Sequence, residues 1–124
     1  MDEDNVTLEG VRVLVVDDYR SIANGLCRHL RVLGHDARAV YSGGAALAEA
    51  AMFEPDVVLL DIVLPDMSGH EVARALKARA SGVYIAAIST RVEVADANID
   101  EHARKPFGLD RLAAILAASK RTTR

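Results

Sequence analysis

Six residues offer groups that can work together chemically: Asp17, Asp18, Asp61, Ser89, Thr90 and Lys105. Each follows a short run that reads as a strand. Val11 to Val16 (VRVLVV) stops at Asp17-Asp18, and Val57 to Leu60 (VVLL) runs straight into Asp61. Val83 to Ser89 (VYIAAIS) ends in the hydroxyl pair Ser89-Thr90, and the weaker run His102 to Lys105 leads into Pro106. If these strands are parallel, their carboxyl ends share one edge of the sheet, the edge where open α/β sheets bind ligands. Three carboxylates brought together there raise one another's pKa unless a cation is present. Mg²⁺ (or Mn²⁺) suits them, being hard, oxygen-seeking and able to combine one or two carboxylates with waters and a phosphate. With a fixed lysine charge and a hydroxyl donor added, the set can bring a phosphoryl group onto a carboxylate oxygen. Taken singly, each residue has an ordinary explanation: an acid pair leading a helix, a loop cap, a turn serine, a surface lysine. Their joint occurrence at the ends of successive strands is the signal.

The elements between them supply the positioning. Ile22, Leu26, Leu30 and Leu33 recur at near-helical spacing, with Gly34 placed to end that helix. Ala37 to Tyr41 reads as a second strand, and Ser42 as the N-cap of an alanine-rich helix over 44–53. Ser68 with Glu71 forms a capping-box pattern for the helix carrying Val72 and Leu76. Val92, Ala95 and Ile99 are spaced for about two helical turns against Asp96, Asn98 and Asp100. A last helix runs from about Asp110 to Ser119, with Leu109, Leu112, Ile115 and Leu116 facing inward. Short apolar strands alternating with helices predict one α/β domain, a parallel sheet covered by helices on both faces.

Composition narrows the classes further. The chain has 124 residues, 51% of them hydrophobic, and a net charge of −3, so neither nucleic acid nor an anionic membrane is suggested as a bulk partner. No apolar run reaches spanning length and the start is acidic, so a soluble cytoplasmic protein is expected. Residues 1–10 read as a flexible lead-in, 11–120 as the domain, and Lys120, Arg121 and Arg124 as a solvated tail. The single Cys27 falls on an apolar helical stripe and reads as core. His29, His35 and His70 show no metal-ligand spacing and read as solvated. No dinucleotide fingerprint, P-loop, nucleophile elbow or zinc-protease motif is present.

The segments VLVVDD (Val13 to Asp18), VVLLDIVLPDMSG (Val57 to Gly69), AAIST (Ala86 to Thr90) and KPF (Lys105 to Phe107) together make the sequence resemble the receiver domain of two-component response regulators, over nearly its whole length. The resemblance implies a three-layer, doubly wound, flavodoxin-like fold with five parallel strands in order 2-1-3-4-5. It implies that Asp61 is phosphorylated from a phosphohistidine on a histidine kinase or histidine phosphotransfer protein. Asp17, Asp18, Asp61 and the Val63 backbone carbonyl would hold the metal ion. Ser89, Thr90 and Lys105 would contact the phosphoryl group, Ser89 and His102 would form the switch, and Lys105-Pro106 would be a cis peptide. Such a protein is no enzyme toward outside substrates, catalysing only its own aspartyl phosphorylation and dephosphorylation. Its output would go to a downstream protein, with homodimerisation on phosphorylation left open.

Two departures from the family pattern stand out. The stretch from Ser89 to Lys105 is several residues short and lacks the glycine turn before the fifth strand, so the fourth helix is expected to be short, distorted or absent. The fifth strand is polar, and His102 stands where an aromatic is usual. Both fall on the surface the family uses for output. A phosphorylation-independent pseudo-receiver is therefore the competing reading. A magnesium-dependent phosphatase is disfavoured, because Val63 stands where such an enzyme needs a second acid. Val63 and the bulky, charged Arg91 would orient water poorly, which predicts a long-lived phosphoryl-aspartate. No effector domain is expected after the last helix, which points to a stand-alone regulator.

Overall fold

In a computed structural model the described residues are 10–90 and 95–122. The lead-in over 1–9, Arg91, Val92 and Arg124 lie outside them. Five strands, β1 (Arg12–Val16), β2 (Asp36–Val40), β3 (Val57–Asp61), β4 (Tyr84–Ser89) and β5 (Glu101–Arg104), form one parallel sheet in the order β2-β1-β3-β4-β5. Among the described residues four helices cover it: α1 (Arg20–Val32), α2 (Gly43–Phe53), α3 (Gly69–Arg79) and α4 (Leu109–Thr122). The expected α/β class and strand order are both present.

The strand sequences explain the layering. β3 and β4 are buried at every position and β1 at every position after Arg12, because helices lie on both faces of the central strands. Alternate residues serve opposite cores. Leu14, Val16, Val58 and Leu60 pack under α2 and α3. Val13, Val15, Val57 and Leu59 pack under α1 and α4. The edge strand β2 alternates more loosely, and β5 has only four residues, one of them fully buried. None of the described helices is long and apolar enough to cross a membrane.

Helix faces are where the sequence-based expectations shift. The buried stripe of α1 is Ala23, Cys27 and Leu30, spaced four and three apart as one helical face requires. Ile22 and Leu33 are 45% and 56% exposed, while Leu30 is buried and Leu26 packs partly buried against the same core, so the predicted stripe holds at its two middle positions and fails at its ends. Ala23, a small residue easily overlooked beside isoleucine and leucine, is fully buried in the place predicted for Ile22. Leu109 is likewise exposed at 58%, whereas Leu112, Ile115 and Leu116 are buried as predicted. Gly34, at φ 99°, takes the left-handed conformation that ends α1. Ser42 caps α2 by accepting from Ala45 N at 3.1 Å.

Ser68 caps α3, but its Oγ accepts from His70 N at 3.0 Å, and Glu71 N goes to the Ser68 carbonyl instead. Ser68 is thus a simple N-cap, and neither reciprocal bond of the predicted capping box is made among the described residues. Between β4 and β5, residues 95–100 contain a turn at Ala97-Asn98 and no helix. Ile99 inserts into the core under α2 and α3.

Candidate functional site

β1 and β3 are neighbours in register, and each ends in an acid, so Asp17 and Asp61 emerge side by side. Both are buried, at 3% and 8% exposure, while Asp18 is exposed. The two buried carboxylates are held in the same way. One oxygen of each is taken by its own following turn: Tyr19 N donates to Asp17 Oδ1 at 3.0 Å, and Val63 N to Asp61 Oδ1 at 3.1 Å. The other oxygens share a single cation, with Lys105 Nζ donating to Asp17 Oδ2 at 2.9 Å and to Asp61 Oδ2 at 3.2 Å. Lys105 reaches there because it directly follows β5 and its own N–H donates to Ser89 O at 2.7 Å. The bond between Lys105 and Pro106 is cis.

Burial pushes the Asp61 carboxyl above its ordinary range; the Val63 N–H and the Lys105 charge pull it back, and Asp17 adds to the rise. For Lys105 burial favours the neutral amine, but the hydrogen bond to Asp17 and the charges of Asp61 and Asp17 outweigh it and raise its pKa. Asp17, Asp18 and Asp61 each present an oxygen within 4.8 Å of the others. Three hard oxygen donors at that spacing, one of them exposed, fit a divalent ion that keeps part of its water shell.

The remaining predicted site residues fall around this centre. Ser89 is buried at the end of β4. Thr90 is exposed and lines, with Asp17, Lys105, Ile22 and Phe107, an apolar cavity beside the acids. The Val63 side chain is 62% exposed. His102 lies in β5 opposite Ala87; its Nε2 is buried with no hydrogen-bond partner, and its carbonyl accepts from an Arg111 guanidinium nitrogen at 2.9 Å. An unpaired buried nitrogen is uncommon, and it marks His102 as the unusual member of the set.

Sequence reasoning missed several residues that position the site. Asp66 accepts from Gly43 N and Gly44 N, both at 2.8 Å, fastening the loop after Asp61 to the first turn of α2. Those amides hold its carboxyl below the usual carboxylate range. A helix start leaves N–H groups that draw an anion, but nothing local to Gly43-Gly44 points to Asp66 as that anion. His70 and His35, expected to be solvated, both have partners: His70 Nδ1 pairs with Asp96 Oδ2 at 2.5 Å, and His35 Nδ1 accepts from Val11 N at 3.1 Å.

Gly69 opens α3 against the backbone of the acid itself. A Cβ there would stand 2.7 Å from Asp61 O and 2.6 Å from Ile62 Cα. Backbone on both sides leaves it nowhere to go. Gly69→Ala is expected to lower stability by about 1–3 kcal/mol and to slow any chemistry at Asp61. Urea unfolding reads the first effect. An unchanged unfolding midpoint would show that the loop yields more easily than its packing implies.

Comparison with known proteins gives a consistent answer. The family model described as "Response regulator receiver domain" matches residues 13–117. The transcriptional regulatory protein KdpE of Mycobacterium tuberculosis is 39% identical over 117 residues, covering 90% of this chain and 52% of KdpE. The response regulator MprA of Mycobacterium bovis is 35% identical over 120 residues, covering 92% of this chain and 52% of MprA. The chain therefore spans about half the length of these curated relatives. Among solved structures, the response regulator TrrA of Thermotoga maritima, in complex with Mg²⁺ and BeF, superposes with a TM-score of 0.80 at 27% identity, over 88% of this chain and 98% of that one.

Proposed function

The chain belongs to the response regulator receiver domain family, and so to two-component phosphorelay signalling, and we propose from that premise that Asp61 is its phosphoacceptor. The observation carrying the proposal is the shared lysine: Lys105 bridges Asp17 Oδ2 and Asp61 Oδ2, with Asp18 completing three carboxylate oxygens within 4.8 Å. In the proposed reaction an Asp61 carboxylate oxygen attacks the phosphorus of a phosphohistidine on a histidine kinase or phosphotransfer protein. The P–O bond forms as the P–N bond breaks, and the imidazole leaves with a proton. Lys105 compensates charge on the transferring phosphoryl group, and Ser89 and Thr90 supply hydroxyl donors to it. Asp17, Asp18, Asp61 and the Val63 carbonyl would hold Mg²⁺ or Mn²⁺, which supplies positive charge for the phosphoryl oxygens. The complex of TrrA with Mg²⁺ and BeF supports the binding of a divalent ion by this chain, by likeness. No outside substrate is turned over; the product is the altered protein, read by a downstream protein.

Intact-mass spectrometry after incubation with acetyl phosphate tests the proposal. A single phosphoryl adduct that requires Mg²⁺ and is lost in Asp17→Ala is the expected result. No adduct on the wild type, under conditions that modify another receiver, would instead favour an interaction module that works without phosphate.

A further inference from the structure

α3 reaches across to the β4–β5 connection at two points seven residues, or about two turns, apart. At the far end Lys77 Nζ donates to Asp100 Oδ2 at 2.9 Å and to Val83 O at 2.6 Å. That anchor is tied to the sheet as well, since Ile85 N donates to Asp100 Oδ2 at 2.7 Å and Asp100 N to Ile85 O at 2.8 Å. At the near end His70 Nδ1 meets Asp96 Oδ2 at 2.5 Å. Among the described residues, the other bonds of Asp96 are local: Asn98 N to its Oδ1 at 2.8 Å and Ile99 N to its carbonyl at 3.0 Å. The two ends therefore differ. The Lys77 end is fixed to β4 through Asp100, while at the His70 end the bonds of Asp96 to other described residues stay within the turn.

The residue before His70 is Gly69, which donates to Ile62 O at 2.7 Å and leaves no room for even a methyl group against Asp61 O. A displacement of the Asp61–Ile62 backbone is transmitted to Gly69, because close-packed backbone cannot absorb it. The next side chain along is the one that grips Asp96. Asp61, Gly69, His70, Asp96 and the amides of Asn98 and Ile99 thus form one continuous chain of contacts.

We propose that His70 is a positioning residue that transmits the state of Asp61 to the 95–100 turn through Asp96. The inference rests on the reading of Asp61 as phosphoacceptor. It assigns a signalling role to the turn at residues 95–100 before β5. The histidine acts through its hydrogen bond, so asparagine, whose amide nitrogen reaches as far as Nδ1, can replace it and alanine cannot.

The test is residue-resolved amide hydrogen exchange by NMR, on the protein alone and with Mg²⁺ and beryllofluoride as a stand-in for the phosphoryl group. Coupled sites commonly differ in affinity by about fivefold or more, so exchange at Asn98 and Ile99 is expected to change by at least that factor. The change is expected in wild type and in His70→Asn, and is lost in His70→Ala. The Val63 amide, which bonds Asp61, reports binding in every variant. Binding at Val63 with an undiminished turn response in His70→Ala would overturn the coupling alone, as would binding in wild type with no turn response. No perturbation at Val63 in wild type would overturn the reading of the site, and the coupling with it.

Discussion

Asp61→Asn is expected to abolish the phosphoryl adduct and, in the absence of metal, to make the protein more stable. The first effect follows from removing the nucleophilic oxygen. The second follows from the environment of the carboxylate. Asp61 is buried, and burial raises its pKa against the pull of Val63 N–H and Lys105. A carboxyl that holds its proton more tightly when folded favours the fold most below the unfolded pKa of about 3.9. That contribution is lost as pH rises through the folded value, so at neutral pH the ionised Asp61 opposes folding. Asparagine has the same shape without the charge, and Lys105 keeps its shorter bond to Asp17. A gain of about 1 kcal/mol, or about 4 °C in melting temperature, is expected at pH 7. The advantage should narrow as pH falls toward 4, because wild-type Asp61 then takes up its proton. Thermal melts of both proteins across that range, without divalent ions, measure it. An Asn variant less stable than wild type at pH 7 would mean that the carboxylate is well compensated in the resting protein.

The same tension explains what the sequence could and could not say. Asp17, Asp61, Ser89 and Lys105 were legible because strand ends in a parallel sheet share an edge, so topology alone brings them together. The fold was legible for a related reason: buried parallel strands are written as unbroken apolar runs. Side-chain partners across elements were not. Nothing in the local sequence says that Asp66 reaches the amides of Gly43 and Gly44, or that His70 finds Asp96 twenty-six residues on. Helix faces failed where size misled, with Ala23 buried and Ile22 exposed. The shortened β4–β5 connection was readable as a deficit. That Ile99 fills the gap, with Lys77 and Asp100 fastening it, depends on packing and pairing between distant segments.

Lys105 gives the other large effect, and its two readouts move in opposite directions. Its ammonium is the shared partner of two buried carboxylates, and its side chain is only 16% exposed. Lys105→Met preserves much of the side-chain bulk and removes the charge, leaving Asp17 and Asp61 facing each other without compensation. Removing one member of a buried ion pair typically costs about 3–5 kcal/mol, and a loss near the lower end is expected here because Asp18, beside the pair, is exposed. Mg²⁺ affinity should rise in the same variant. Repulsion between an ammonium and a divalent ion a few ångströms away is on the order of 1–2 kcal/mol even in a water-like dielectric, so removing it strengthens binding roughly tenfold. The metal then stabilises the variant by mass action at lower concentrations than it does wild type. The pH dependence has a definite sign. Since the folded pKa of Lys105 is raised, its contribution is complete below the unfolded value of about 10.4 and disappears as pH climbs through the folded one. The wild-type advantage should accordingly hold across neutral pH and close in strong alkali; it should also close in acid, as the orphaned carboxylates protonate. Melting curves of both proteins over a Mg²⁺ titration separate the effects. If the variant melts with wild type and binds Mg²⁺ no more tightly, Lys105 is not the charge that lets two buried acids share this edge of the sheet.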